Sequence, residues 1–161
     1  MFLKYISKGI YIIQTFRKGD YMFSNLKLGD KKIVQLSVKK EDTALNYGSG
    51  QLENLFASPK LVALTIEAAS KLIDSSLPDG FISVGKSFNI EHIAPTTLGQ
   101  TITLEVEIIA LSEPKVTISM NAYDEIGLIG KGEHVRYIVN KISLLEKAYE
   151  RSDFPNNIPI D

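Results

Sequence analysis

The sequence predicts an α+β domain in which a curled antiparallel sheet wraps around one long helix. Three observations carry this expectation. One long apolar helical segment begins at Ser58-Pro59, four strand-like segments follow it by short connections with no second long helix between them, and one alternating segment precedes it. A single helix covers only one face of one sheet, so the sheet has to curl around it. Its unpaired edge is expected to meet a second copy of the chain, giving a homodimer or tetramer.

Residues 1–21 have two readings. Met1 to Phe16 is apolar but broken by Lys4, Lys8 and Gly9, with no small-residue cleavage site after it, which argues against a signal peptide. Lys18-Gly19-Asp20-Tyr21-Met22 can be encoded by a purine-rich run like a bacterial ribosome-binding site just ahead of an ATG, which makes 1–21 a mis-annotated leader and Met22 the start. The other reading is an extra edge strand from Tyr5 to Thr15. The domain itself is expected over 22–150.

Ile33, Gln35 and Ser37 alternate with Val34, Leu36 and Val38, and Lys39-Lys40-Glu41-Asp42 closes this strand. Gly48-Ser49-Gly50 gives the next loop freedom, and Leu52, Leu55 and Phe56 give it apolar contacts, a composition suited to a flap. In Ser58-Pro59 the serine hydroxyl is expected to cap the helix, with the proline at the first helical position. Two apolar rows follow, Leu61, Leu64, Ala68, Leu72 and Val62, Ile66, Ala69, Ile73, so the helix should be largely engulfed. Leu77 before Pro78 ends it near Ser76. Phe81 to Ile93, Thr101 to Ala110, Val116 to Ala122 and a segment reaching about Asn140 are the later strands; Ile142 to Arg151 reads as a terminal helix, with a loose tail over 151–161.

The 161 residues are 44% hydrophobic with no long Pro, Ser or Gly tract, enough for one domain with a real core. A net charge of −1, from 18 basic and 19 acidic residues, leaves no electrostatic footprint for nucleic acid or an anionic membrane. The lack of cysteine excludes disulfides and thiolate catalysis, and with two histidines, His92 and His134, a zinc site is not expected. The expected compartment is the cytoplasm.

Glu41-Asp42-Thr43-Ala44, Gly48-Ser49-Gly50, Ala57-Ser58-Pro59 with Leu61-Val62-Ala63-Leu64, Ser83-Val84-Gly85, His92-Ile93-Ala94-Pro95-Thr96 and Gly130-Lys131-Gly132-Glu133-His134-Val135-Arg136 occur in the order of a known family. Over about residues 30 to 140 the chain resembles the hotdog-fold thioesterases, in their fluoroacetyl-CoA thioesterase-like branch. The resemblance implies hydrolysis of an acyl-CoA thioester by a threonine at the helix cap, a glutamate two turns down the helix and a histidine on the next strand. It needs no cofactor beyond the CoA of the substrate. Ser58 falls on the threonine, His92 on the histidine and Gly85 on a glycine whose N–H is expected near the thioester carbonyl, with Val84 beside it. The glutamate position falls on Ile66. Glu67 is adjacent, but one residue turns a helical side chain by about 100°. The two phenylalanines that guard selectivity for the fluorinated substrate correspond to Ser49 and Leu52, so fluoroacetyl-CoA is not the expected substrate.

Each residue also has an ordinary reading. By strand parity His92 points with Val84, Phe88 and Ile90 among apolar side chains, where a satisfied core histidine is common. Ser58 is explained by the cap alone, Glu67 by an i, i+4 pair with Lys71, and Lys131 and Arg136 by ordinary surface rather than CoA phosphates. Three classes follow: a thioesterase; an acyl-CoA binding module that lost its glutamate, as Ile66 suggests; and a hotdog hydratase, disfavoured because Ser87 stands where that pattern needs an aspartate.

Overall fold

The computed structural model of the chain describes residues 25–152 and two two-residue strands, β1 (Ile6–Ser7) and β2 (Ile10–Tyr11), which pair antiparallel with each other. Otherwise the expected leader or edge strand, the start at Met22 and the tail from 153 onward lie outside the described residues. The domain is built from β3 (Lys31–Ser37), α1 (Ser58–Asp74), β4 (Phe81–His92), β5 (Thr101–Ser112), β6 (Lys115–Tyr123), β7 (Leu128–Asn140) and α2 (Lys141–Ser152). Two single 3-10 turns, Lys40–Asp42 and Ala44–Asn46, lie between β3 and α1.

The five long strands form one antiparallel sheet in the order β3-β5-β6-β7-β4. This is the curled sheet on one helix that the element order predicts. Strict alternation sets which face is wet: Ile102, Leu104, Val106 and Ile108 of β5 and Val116, Ile118, Met120 and Ala122 of β6 are buried, while their odd-numbered neighbours face outward. Burying one such Leu or Ile stabilises the fold by about 1.5–3 kcal/mol. The other layer is α1, through Leu61, Leu64, Ala68, Ala69 and Ile73. Gly130 lets it approach, since a Cβ there would lie 2.9 Å from Leu61 Cδ2.

The helix is less engulfed than its composition predicts. Ile66 is 39% exposed, and the buried position beside it is Thr65, whose hydroxyl donates to the Leu61 carbonyl at 2.9 Å. That internal bond lets a polar side chain take a core position, and of the second apolar row Ala69 and Ile73 are buried, Val62 is half-buried and Ile66 alone is exposed. Among the described residues the two sheet edges are β3 and β4, so β4 has a strand beside it on one side only.

A serine–histidine pair at an apolar cleft

The loop between β3 and α1 is anchored at its foot and free at its tip. Ala57 N–H donates to the Asp42 carbonyl at 3.0 Å and Phe56 N–H to that of Thr96 at 2.8 Å. Asp42 is 2% exposed and pairs with Lys60 of α1, Oδ1 to Nζ 2.8 Å, while its other oxygen accepts the Lys39 N–H at 3.0 Å. Burial raises the Asp42 pKa, but Lys60 and the Lys39 N–H outweigh it and hold the carboxyl below its usual range. At the tip Gly48 and Gly50 take positive φ, +64° and +69°, which glycine adopts without strain.

This frame sets Ser58. Its expected role as a cap is not what the structure holds: the N-cap is Ala57, without a side-chain cap bond, and Ser58 is already helical. The hydroxyl is released from the backbone and turns to the sheet instead. Ser58 Oγ lies 2.7 Å from Nδ1 of His92, at the end of β4. The other ring nitrogen, Nε2, is buried without a hydrogen-bond partner. Burial lowers the pKa of His92, opposed in part by the Ala94 backbone, so the ring is neutral at pH 7. Phe56 meets the imidazole edge-on at 6.2 Å between centroids. The pair opens onto a cleft of about 510 Å³ lined mainly by apolar groups, among them Ala44, Leu52, Leu55, Phe56, Ile93 and Pro95.

The α1 N-terminus has few donors to offer. Pro59 has no N–H, and those of Lys60 and Leu61 both go to the Ala57 carbonyl, at 3.0 and 3.1 Å. The Ser58 N–H is the first-turn donor left among the described residues.

Of the other expected site residues, Leu52 lines the cleft at 59% exposed, and Ser49 is exposed at the loop tip beside Gly48. Ile66 lies outside the cleft, two turns along α1 and about 12 Å from Ser58 by helical rise. Glu67 is exposed and held by Lys71, Oε1 to Nζ 2.6 Å, on the helix surface. Gly85 and His92 share strand β4 but sit seven residues apart, about 20 Å, so one protomer does not bring them together. Val84 corrects the parity argument: a bulge between Gly85 and Ser87 reverses the alternation, so Val84 faces away with Tyr137 while Phe88, Ile90 and His92 face in. Arg136 is not a surface cation for CoA phosphates. It is 2% exposed inside the sheet, and Lys131 is taken up by Glu91 at 3.6 Å.

A family model described as fluoroacetyl-CoA-specific thioesterase matches residues 38–142, spanning β4 to β7, α1 and the serine–histidine pair. The chain belongs to the fluoroacetyl-CoA-specific thioesterase family. Its hotdog fold is shared with a hot-dog-like protein from Thermanaerovibrio acidaminovorans, at 27% identity over 81% of this chain and 94% of that one, TM-score 0.74. A thioesterase superfamily member from Thermus thermophilus gives 22% identity over 82% and 99%, TM-score 0.74. A threonine-to-serine variant of the fluoroacetyl-CoA thioesterase, solved with acetyl-CoA, gives 22% over 81% and 100%, TM-score 0.73. No curated protein matches the sequence. No helix among the described residues is long and apolar enough to cross a membrane.

Proposed function

We propose that this member of the thioesterase family hydrolyses a small or medium acyl-CoA thioester, with Ser58 and His92 as the reacting pair. The observation that carries the reading is the 2.7 Å contact of Ser58 Oγ with a neutral imidazole at the mouth of an apolar cleft. A neutral Nδ1 accepts the proton of the Ser58 hydroxyl, or of a water that Ser58 holds, as that oxygen attacks the thioester carbon; the proton then passes to the departing CoA sulfur. Where Ser58 is the attacking oxygen, a water activated by the same nitrogen cleaves the acyl-serine to the acid and returns the proton to Ser58. The acyl group lies against Leu52, Leu55 and Phe56. A serine in place of the family's threonine is compatible with acyl-CoA binding, because the related thioesterase carrying that change was solved with acetyl-CoA.

In this reading a homodimer completes the site. The developing oxyanion needs fixed donors, and the first turn of α1 has only the Ser58 N–H to spare. Antiparallel pairing of two copies of the β4 edge about Phe88 and Asn89 sets Gly85 of one copy opposite His92 of the other. A carboxylate at Ile66 would act in this arrangement only if the same two-fold brings that helix face to the partner's pair.

A second reading, an acyl-CoA binding module without turnover, is favoured by one observation: no carboxylate lines the cleft among the described residues, and Ile66 stands at the family's glutamate. A panel of acetyl- to octanoyl-CoA separates the two. Release of free thiol supports the enzyme, and saturable binding without release supports the module.

A further inference from the structure

Strand β7 turns its even-numbered side chains inward, and two of them, His134 and Arg136, are titratable and 0% and 2% exposed. Burying a guanidinium is costly unless its donors are met, and here nearly all are. Nε donates to Ser83 Oγ at 2.9 Å, Nη2 to the Ser83 carbonyl at 2.6 Å and to Ser70 Oγ at 2.8 Å, and Nη1 to Nε2 of His134 at 3.0 Å. Asp74 balances the charge from one group away, accepting from Ser83 N–H at 2.9 Å and from its hydroxyl at 2.5 Å.

The last Arg136 contact decides a tautomer. An arginine only donates, so Nε2 of His134 accepts and the ring proton sits on Nδ1, which donates to the Ser87 carbonyl at 3.0 Å. Ser87 closes the β4 bulge that opens at Gly85. The same ring stacks on Phe88 at 3.6 Å between centroids, and a Cβ at Gly85 would lie 3.1 Å from its Cε1. The imidazole thus props the bulge from inside the sheet, on a strand that is a sheet edge among the described residues. Neither residue touches Ser58 or His92.

We propose that Arg136, acting through His134, is a positioning residue that holds the Gly85–Ser87 bulge in the shape the partner's serine–histidine pair requires. The inference rests on the reading of Gly85 as a donor shared across two copies. It explains why a strand at the molecular edge is backed by a buried cation and a neutral histidine, where apolar side chains would pack at lower cost.

Three measurements test it on the full chain. Nitrogen-15 spectra of the wild-type imidazoles are expected to place the His134 proton on Nδ1, and to show it redistributed over both nitrogens in Arg136→Lys; a wild-type proton on Nε2 overturns the proposal. His134→Phe keeps a ring against Phe88 and Gly85 but removes both polar bonds. It is expected to remain dimeric, to exchange the amides of residues 85–87 at least about 10-fold faster, and to lose about 10-fold or more in kcat with KM within about 2-fold. His134→Asn, which restores a donor toward Ser87, is expected to recover most of that loss. Unchanged exchange at 85–87 in both His134 variants, or faster exchange with full kcat, overturns the proposal. If the wild type turns over no acyl-CoA, the proposed activity falls on its own, and the exchange arm still decides whether the pair holds the bulge.

Discussion

Ser58 Oγ and His92 Nδ1 stand 2.7 Å apart although 34 positions separate them in the chain, one on the first turn of α1 and the other on the last residue of β4. Each looks ordinary alone, a serine before a proline and a histidine on an apolar face. The pair is made by the loop foot at Asp42, which ties α1 to the end of the sheet.

Because the Ser58 hydroxyl caps nothing, Ser58→Ala should separate activity from stability. We expect a loss of 10-fold or more in kcat/KM, about the scale of one positioned proton-transfer partner. The melting temperature should fall by no more than about 4 °C, the scale of the one hydrogen bond to His92, since no helix cap is lost with it. Thermal unfolding and steady-state kinetics of the two proteins check this.

Glu67 is spent on Lys71 at the helix surface. Glu67→Ala should leave hydrolysis within about 2-fold and stability within about 0.5 kcal/mol. Ile66→Glu restores the family's carboxylate and should raise kcat/KM about 10-fold. At 39% exposure that carboxylate is only partly desolvated, so a drop of a few degrees in melting temperature is expected. Kinetics of both variants against one acyl-CoA decide whether the base has moved to Glu67 or is missing.

Stability should fall in mildly acidic solution. Burial, aided by the Arg136 charge and only partly offset by the Ser87 carbonyl, holds His134 at about 4 in the fold, against 6.5 for a free histidine. The unfolded chain therefore binds more protons between these values. The contribution is fully present above pH 6.5 and is lost progressively toward pH 4, roughly 3 kcal/mol in all. His92, also depressed by burial, adds to the same window, whereas Asp42, held below its usual range, loses its contribution at lower pH still. Urea unfolding from pH 7.5 to 4 should show the slope, and His134→Asn should reduce it.

If Gly85 and His92 act across the two-fold, two dead variants should complement. Mixed and re-associated His92→Ala and Gly85→Val chains form heterodimers in which one site has both residues intact, so roughly a quarter of wild-type activity should return. Re-associated mixtures that stay at the level of either parent would show that Gly85 and His92 do not form a site across two copies.

The sequence was most legible where periodicity rules. The alternation over Thr101 to Ala122 and the apolar spacing after Ser58-Pro59 name the sheet, the helix and their layering, because period and burial are directly coupled. Two local features broke that logic. The bulge at Gly85 reverses parity and moves Val84 to the far face, and no residue between Phe81 and His92 marks it other than the glycine itself. Thr65, its hydroxyl satisfied by the Leu61 carbonyl, takes the buried position that the apolar pattern gave to Ile66. The Arg136 network was missed for a related reason: a charged residue on a strand reads as surface, although the inward parity of Gly130, Gly132 and His134 already pointed it into the core. Ser58 and His92 were named from the family pattern, but their contact depends on tertiary closure of the loop that no spacing encodes.

The central claim is that a neutral His92 activates oxygen at Ser58, and the pH dependence of kcat/KM for wild type and His92→Ala, on the best acyl-CoA of the panel, tests it most directly. The account predicts a wild-type plateau at neutral pH, an acid limb below pH 6.5 because burial lowers the histidine pKa, and in the variant a loss of about 10² or more together with that limb. A folded, dimeric His92→Ala protein that keeps wild-type turnover and the same acid limb would contradict it.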